Sequence, residues 1–264
     1  MKVAPIPPTE LLREFSTRYH LCLAHILHSD AQQLAYYQGR AVAYDNYVIL
    51  DNGAYECGRS VPFELVLEVA SKVFPQEIVL PDVLLDSKET ILTACEGHKL
   101  IRNFRHEWVF IDHPMNLMVA PQGKNLTEWL RCMDALINAM KPDTIGIPVV
   151  YEKMMGRGVL IREVIKYIGG DKFYQPEIHL LGWDGDLYKL NCYARDFPHW
   201  IRGIDSAKPF YYSLKRNPML LDQGPVRPRP DNYFDLQEKD FEPDVLKQNV
   251  HLFEATASGS LAYL

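Results

Sequence analysis

The chain has 264 residues, a formal net charge of −6, and 47% hydrophobic and 23% charged residues, a balance that excludes a long disordered or low-complexity protein. Its apolar runs are far short of the roughly 18 residues of a membrane span, and its N-terminus lacks the apolar core of a signal peptide, so we expect a cytoplasmic protein without a membrane partner. The negative net charge argues against a protein that coats nucleic acid along its whole surface, and allows a local basic patch.

Short apolar runs that end in small or polar residues recur along the chain and alternate with stretches of helical periodicity. Eight such runs are candidate strands, at 2–7, 19–25, 47–53, 77–82, 117–123, 144–150, 177–183 and 200–206. The first contains two prolines, which a strand tolerates only at an edge or at its end.

Seven amphipathic segments lie between the strands, at 9–17, 30–41, 62–74, 88–104, 127–140, 158–168 and 186–197. Three of these segments carry a capping signal at the start. We expect Asp30 and Ser87 to cap the second and the fourth helix. Asn125, followed by Glu128, is expected to form a capping box on the fifth.

Eight strands that alternate with seven helices indicate a parallel sheet, and eight strands can close into a barrel. We therefore predict an α/β fold, a single-domain (β/α)8 TIM barrel, with its core at 1–206 and a C-terminal extension at 207–264 packed on the barrel. Segment 104–116 is expected to hold an extra strand or a lid, and 217–243 to wrap the outside or extend one end. An open doubly wound sheet is the alternative, but the sequence has no GxGxxG or Walker loop.

In such a barrel the active site lies at the carboxyl ends of the strands. Those ends carry Asp51 with Asn52 and Gly53, Asp82, Gln122 with Gly123, Gly146, Gly182 and Asp205. A single aspartate at a strand end is more often a cap or a turn residue than a catalyst. Three carboxylates and an amide at one mouth favour a functional site without identifying its reaction.

Other kinds of site fit these residues less well. Three carboxylates can hold Mg²⁺, but no histidine and no DxD or HxH pair occurs among these residues. His25 ends the second predicted strand, and a single histidine is more often a satisfied polar group than a ligand. The chain has no GxSxG nucleophile motif. Its five scattered cysteines include no C-x-x-C pair, so we expect neither a zinc knuckle nor a disulfide framework. We expect no metal and no cofactor.

Six segments resemble, in the same order, motifs of the queuine- and archaeosine-type tRNA-guanine transglycosylases. They are DNGAYE at 51–56, EIVLPDV at 77–83, MVAPQGKNLTEWLRCMDAL at 118–136, TIGIPVVYEK at 144–153, EIHLLGWDG at 177–185 and IRGIDSAKPF at 201–210. The resemblance covers about residues 45–210. Each motif is weak alone, and six in order at predicted strand ends form a more specific pattern.

The chain departs from those tRNA enzymes at three points. It lacks their C-x-C-x-x-C…H zinc site after the last strand, it is shorter, and Leu84 stands where their D-E-C cysteine falls. In these features it resembles the short phage DNA-guanine transglycosylases of the DpdA type. That resemblance implies exchange of guanine in DNA for a 7-deazaguanine base such as 7-cyano-7-deazaguanine, for protection of phage DNA from restriction, in the host cytoplasm.

The resemblance also implies a role for each strand-end residue. Asp205 is the nucleophile that forms a covalent sugar intermediate, Asp51 the general acid and base, and Asp82 the acceptor for the guanine edge. The remaining residues of the base pocket are Gln122, Gly123, Gly146, Ile147, Leu181 and Tyr55. Tyr55 is either a stacking aromatic or a core tyrosine, two interpretations of about equal weight.

DNA and a free 7-deazaguanine base are the partners that this interpretation requires, and a homodimer is compatible with it. Extrusion of the target base from the duplex requires compensating phosphate contacts, for which Lys208, Lys215 and Arg216 are the candidates. Three alternatives remain. They are a tRNA-acting transglycosylase, a catalytically silent nucleic-acid-binding or partner subunit, and an unrelated barrel lyase or isomerase, the last disfavoured because acidic groups stand where a phosphate loop needs N–H donors.

Overall fold

Eight β-strands alternate with α-helices along the chain. The computed structural model describes residues 1–15, 17–41, 45–104, 115–169, 174–183, 186–214, 218–219 and 229–260. The strands are β1 Lys2–Pro5, β2 Tyr19–Leu23, β3 Tyr47–Asp51, β4 Glu77–Val79, β5 Asn116–Val119, β6 Thr144–Pro148, β7 Glu177–Leu181 and β8 Ile201–Ser206. All eight predicted strands are confirmed. Six have bounds within two residues of the predicted ranges, and β4 and β5 end three and four residues earlier than predicted.

The described α-helices are α1 Leu12–Phe15, α2 Ala24–Ser29, α3 Ala31–Ala41, α4 Ala54–Cys57, α5 Phe63–Val73, α6 Ser87–Phe104, α7 Leu126–Met140, α8 Val150–Met154, α9 Arg157–Ile168, α10 Leu187–Asp196, α11 Lys208–Ser213 and α12 Pro243–Ala257. Short 3-10 helices lie at Thr9–Leu11, Tyr233–Asp235 and Glu238–Asp240. Within the described part of the chain, no helix combines the length and the apolar character needed to cross a bilayer.

The strands form one eight-stranded sheet in the order β1-β8-β7-β6-β5-β4-β3-β2. Pairing is parallel in β1–β8, β3–β4, β4–β5 and β5–β6. The architecture is the predicted (β/α)8 barrel. Backbone contacts divide the chain into two compact units, Met1–Leu21 with His179–Leu264, and Cys22–Ile178.

Prolines shorten several strands relative to the sequence prediction. Pro81 and Pro121 follow β4 and β5 closely, and proline has no N–H to donate to a ladder. The residues after them therefore belong to loops at the carboxyl ends of these strands, where Asp82, Gln122 and Gly123 lie. In β1, Pro5 is the last residue, and Pro7 and Pro8 follow the strand.

Two of the three predicted helix caps are confirmed and one is wrong. The carboxylate of Asp30 accepts from the N–H groups of Gln32 and Gln33 at the start of α3, and Asn125 accepts from the N–H of Glu128 in α7. The reciprocal bond of the predicted capping box is not formed, because Glu128 Oε2 accepts from the N–H of Lys124. The predicted cap Ser87 is instead the first residue of α6. Asp86 caps that helix, because its Oδ1 accepts from the N–H groups of residues 88 and 89, both at 3.1 Å.

The core of the unit Cys22–Ile178 consists of apolar strand residues that are fully buried against helix faces, among them Val48, Ile49, Leu50, Ile78, Met118 and Ile145. In the unit formed by the two ends of the chain, Leu180, Ile204, Phe210 and Phe253 are fully or almost fully buried. Each unit also buries polar side chains at its strand ends, Asp82 and Gln122 in one and His179 and Asp205 in the other.

Candidate functional site

Asp82 lies buried at the carboxyl end of β4, and both of its oxygens accept a hydrogen bond from a side-chain amide. Asn52 Nδ2 donates to Oδ1 at 2.8 Å, and Gln122 Nε2 donates to Oδ2 at 2.7 Å. Asp82 is 3% exposed, and burial raises its pKa to about 6, while the two amide donors act in the opposite direction. The carboxyl group is therefore poised to change charge just below neutral pH.

The main chain fixes the orientation of both amides. The N–H of Ala54 donates to Asn52 Oδ1 at 2.8 Å, and the N–H of Leu85 donates to Gln122 Oε1 at 3.1 Å. A backbone N–H can only donate, so each amide oxygen must face it and each amide nitrogen must face Asp82. Asp82 therefore accepts on both sides, which favours its ionised form against the desolvation that burial imposes.

Tyr151 of α8 extends this network to the loop after β5. Its hydroxyl donates to Gln122 Oε1 at 2.7 Å and accepts from the N–H of Gly123 at 2.9 Å. Burial raises the pKa of Tyr151, so the hydroxyl keeps its proton at neutral pH and acts as the donor to Gln122. Gly123 also has no room for a side chain, because a Cβ there would lie 2.5 Å from the backbone nitrogen of Trp129.

The other predicted base-pocket residues of this unit take different positions. The carboxylate of Asp51 is half-buried and accepts from the N–H of Gly53 at 3.0 Å, an Asx turn that starts the loop after β3. Tyr55 is 57% exposed, so its interpretation as a core tyrosine is wrong. Gly146 and Ile147 are buried in β6, and the carbonyl of Ile147 accepts from Arg157 Nη1 at 3.3 Å.

Asp205 lies at the carboxyl end of β8, in the unit formed by the two ends of the chain, and its environment is different. Its Oδ1 accepts from the N–H of Gly182 at 3.0 Å and is hydrogen-bonded to His179 Nε2 at 3.1 Å. Its Oδ2 has no hydrogen-bond partner among the residues that the structure describes. Both recorded hydrogen bonds of the carboxylate are therefore made by Oδ1.

Gly182 donates to Asp205 from a left-handed backbone conformation, with φ of 72°. This conformation follows β7 directly and turns the N–H of Gly182 towards the carboxylate. Side chains other than glycine adopt it at a cost of roughly 1–2 kcal/mol. Leu181, the predicted neighbour of the 7-substituent, is the last residue of β7 and is half-buried.

Lys208, a predicted phosphate contact, is 1% exposed. Its Nζ lies 5.0 Å from the centre of the Tyr212 ring, and its backbone N–H donates to Ser206 Oγ at 3.0 Å. A lysine buried in this way is not a surface contact for a polymer. The other two predicted phosphate contacts, Lys215 and Arg216, lie outside the described residues, as does most of the predicted lid at 104–116.

The sequence interpretation missed four residues of these networks: Tyr151 beside Asp82, and His179, Tyr19 and Arg202 beside Asp205. It placed Asn52 at a strand end but gave it no role beside Asp82. Their signal is a polar or aromatic residue inside an otherwise apolar strand or directly after it. Among the described residues, no group of three or more His, Cys, Asp or Glu side chains is arranged to bind a metal ion.

Comparison with protein-family models gives no match for this chain, and no curated protein matches its sequence. The fold is that of a (β/α)8 barrel, a class that supports many different reactions. The features of the chain that bear on its function are therefore the two buried carboxylates, Asp82 and Asp205, and their hydrogen-bond partners.

Proposed function

We propose that this chain is a guanine transglycosylase that exchanges guanine in DNA for a 7-deazaguanine base, with Asp205 as the nucleophile. The observation that supports it most directly is the carboxylate of Asp205, anchored through Oδ1 with Oδ2 unpaired among the described residues. A carboxylate held in one orientation with a free oxygen is suited to attack on a sugar carbon. The six motif-like segments, in order along the chain, support the same assignment.

In the first step, Oδ2 of Asp205 forms a bond to C1′ of the target nucleotide, and the C1′–N9 bond breaks. Guanine leaves with a proton supplied by Asp51. In the second step, N9 of the incoming base attacks C1′, its proton passes to Asp51, and the ester bond to Asp205 breaks. Two displacements at one carbon retain its configuration and regenerate the free carboxylate.

Asp82 is the proposed acceptor for the guanine edge. Each of its oxygens has one amide partner and further lone-pair capacity, and guanine presents two adjacent donors, N1–H and the 2-amino group. The hydrogen bonds are charge-assisted only when Asp82 is ionised. Adenine presents no such donor pair, so this contact selects guanine. Gln122 orients Asp82 through Nε2, a role that the sequence interpretation did not include.

DNA is preferred over tRNA because the sequence has no cysteine after Asp205, and so lacks the zinc motif with which the tRNA enzymes continue. The target base must leave the stack to reach a buried carboxylate, which costs a few kcal/mol in a duplex and less in a single strand. Single-stranded DNA is therefore the better first substrate. We place this activity in the cytoplasm.

The test is base exchange by the purified chain. Guanine-containing single-stranded DNA, duplex DNA and tRNA are each incubated with 7-cyano-7-deazaguanine, digested to nucleosides and analysed by mass spectrometry. We expect the modified deoxynucleoside with the wild-type chain and none with Asp205→Asn. Asp196→Asn is the matched control, since Asp196 is an exposed aspartate of the same unit, with a side chain 54% exposed.

Each other result of this experiment has a definite meaning. A modified nucleoside in tRNA alone moves the assignment to the tRNA-acting enzymes. Product formation that survives Asp205→Asn removes the proposed nucleophile. Absence of product with 7-cyano-7-deazaguanine and with its aminomethyl and amidino relatives contradicts the enzyme assignment and favours a silent binding subunit.

A further inference from the structure

Asp205 stands at the end of a chain of hydrogen bonds through three other side chains. Arg202 Nε donates to the hydroxyl of Tyr19 at 2.9 Å, that hydroxyl lies 2.9 Å from His179 Nδ1, and His179 Nε2 lies 3.1 Å from Asp205 Oδ1. Arg202, Tyr19 and His179 are 9%, 4% and 0% exposed. Such a buried row of polar groups is costly unless its members satisfy one another.

The direction of each hydrogen bond follows from the chemistry of the donors. A guanidinium group can only donate, so the Tyr19 oxygen accepts from Arg202. The phenolic proton is then available to His179 Nδ1. A neutral imidazole that accepts at Nδ1 carries its proton on Nε2, which donates to Asp205 Oδ1. The row therefore selects one tautomer of His179.

His179 cannot meet a substrate, because it is completely buried and both ring nitrogens are engaged. Any effect on the reaction must pass through Asp205. The ring, together with the N–H of Gly182, occupies Oδ1 and limits rotation of the carboxylate. A nucleophile that is already oriented loses less entropy when it reacts.

We propose that Arg202, Tyr19 and His179 form a positioning relay that fixes the His179 tautomer, holds Oδ1 of Asp205 and thereby presents Oδ2 alone to the substrate. This inference rests on the proposed function in so far as Asp205 is the nucleophile. The hydrogen-bond order of the relay does not depend on it. The two parts are therefore tested by separate measurements.

The first measurement is ¹⁵N NMR of the full chain labelled in its histidines, of which there are nine. The His179 signal is assigned by its loss in His179→Gln. We expect the Nε2–H tautomer at neutral pH in the wild type, and a shift towards Nδ1–H or a tautomer mixture in Tyr19→Phe. An Nδ1–H tautomer in the wild type, or a His179 signal that Tyr19→Phe leaves unchanged, overturns the relay.

The second measurement compares turnover of His179→Gln and His179→Leu in the exchange assay. Glutamine keeps an N–H donor for Asp205, and we expect its kcat within about tenfold of the wild type. Leucine removes the donor, and we expect kcat to fall about 100-fold or more with little change in KM for the free base. His251→Gln, at an exposed histidine of α12, is the control. The melting temperature of each variant shows whether a loss of kcat comes from unfolding.

The outcomes separate the relay from the proposed function. Equal losses in the glutamine and leucine variants, or an unchanged kcat in the leucine variant, overturn the positioning role. If the wild type exchanges no base while the tautomer result is as expected, the relay is upheld as a structural element, and the nucleophile assignment fails. A wrong tautomer with normal exchange leaves Asp205 as nucleophile and removes the relay.

Discussion

The ring of Tyr19 packs directly on the main chain of β8 at Gly203, where a Cβ atom would lie 2.5 Å from Cε1 of the ring and 2.9 Å from its hydroxyl oxygen. Gly203, two residues before Asp205, is therefore needed because a side chain there would collide with the Tyr19 ring, and not because of its backbone conformation. It allows the phenol to reach His179. In the motif IRGIDS, Gly203 and Asp205 are thus linked through Tyr19, which lies about 180 positions earlier in the chain.

Gly203→Ala is expected to displace Tyr19 and to break its contacts with Arg202 and His179. Overpacking of this kind costs roughly 1–3 kcal/mol, and we expect a lower denaturant midpoint together with a loss of base exchange. Urea unfolding measures the first effect and the exchange assay the second. Gly39→Ala is the control. Gly39 lies in α3, where an added methyl group would meet nothing within 4 Å, and alanine there should stabilise the helix.

The buried Asp82 should make stability depend on pH in a defined window. Its pKa is 3.8 as an ordinary carboxyl group and about 6 in the folded chain. The folded state therefore binds the proton more tightly, and this contribution is fully present below about pH 4 and is lost as the pH rises through 6. Two pKa units correspond to roughly 3 kcal/mol.

The measurement is urea unfolding from pH 4 to 8 for the wild type and Asp82→Asn, taken as a difference because other groups also titrate. We expect the wild type to lose stability relative to the variant as the pH rises. A difference that is flat with pH, or that has the opposite slope, contradicts the environment described for Asp82. Guanine recognition should show the reverse trend, since the ionised form is lost as the pH falls below 6.

Gln122→Glu replaces a donor to Asp82 with a second carboxylate at the same position. Two carboxylates at hydrogen-bond distance cannot both be ionised without strong repulsion. We expect the variant to lose about 2–4 kcal/mol at pH 8 and to recover much of this at pH 5, where the pair can share a proton. Unfolding at the two pH values measures it. Gln32→Glu, at an exposed position in the first turn of α3, should be close to neutral at both.

The structure places the cap of α6 at Asp86, and the sequence predicted it at Ser87, so two single variants can decide between them. Asp86→Ala removes the acceptor for two N–H groups and should cost about 0.5–2 kcal/mol. Ser87→Ala changes a residue inside the first turn and should have little effect. Thermal unfolding of the two single variants measures both losses of stability. A larger loss in Ser87→Ala than in Asp86→Ala would restore Ser87 as the cap.

The barrel was predictable because its determinants are local. Most strands are short apolar runs that end at or close to a proline, glycine or aspartate, and the helices α5 and α7 each have an apolar face. The error at α6 has a local cause as well. Asp86 and Ser87 are adjacent and both are good capping residues, so only the geometry of the turn decides between them.

The partners of the two carboxylates were not predictable in the same way. Asn52 and Gln122 belong to loops whose strands are adjacent to that of Asp82 in the sheet, so a strand order could suggest them. Tyr19 and His179 are separated by 160 residues, and no sequence pattern around either residue predicts their contact. The burial of Lys208 was likewise hidden, because a basic residue after a strand has the same sequence pattern whether its side chain is exposed or covered.

That separation of 160 residues has a consequence for how the protein folds. Closing so long a loop costs more entropy than forming a neighbouring strand pair, and contacts distant in sequence slow the search for the native state. On a ribosome, Tyr19 emerges long before His179 has been made to accept its hydrogen bond. The surroundings of Asp205 should thus be among the last parts of the molecule to become native.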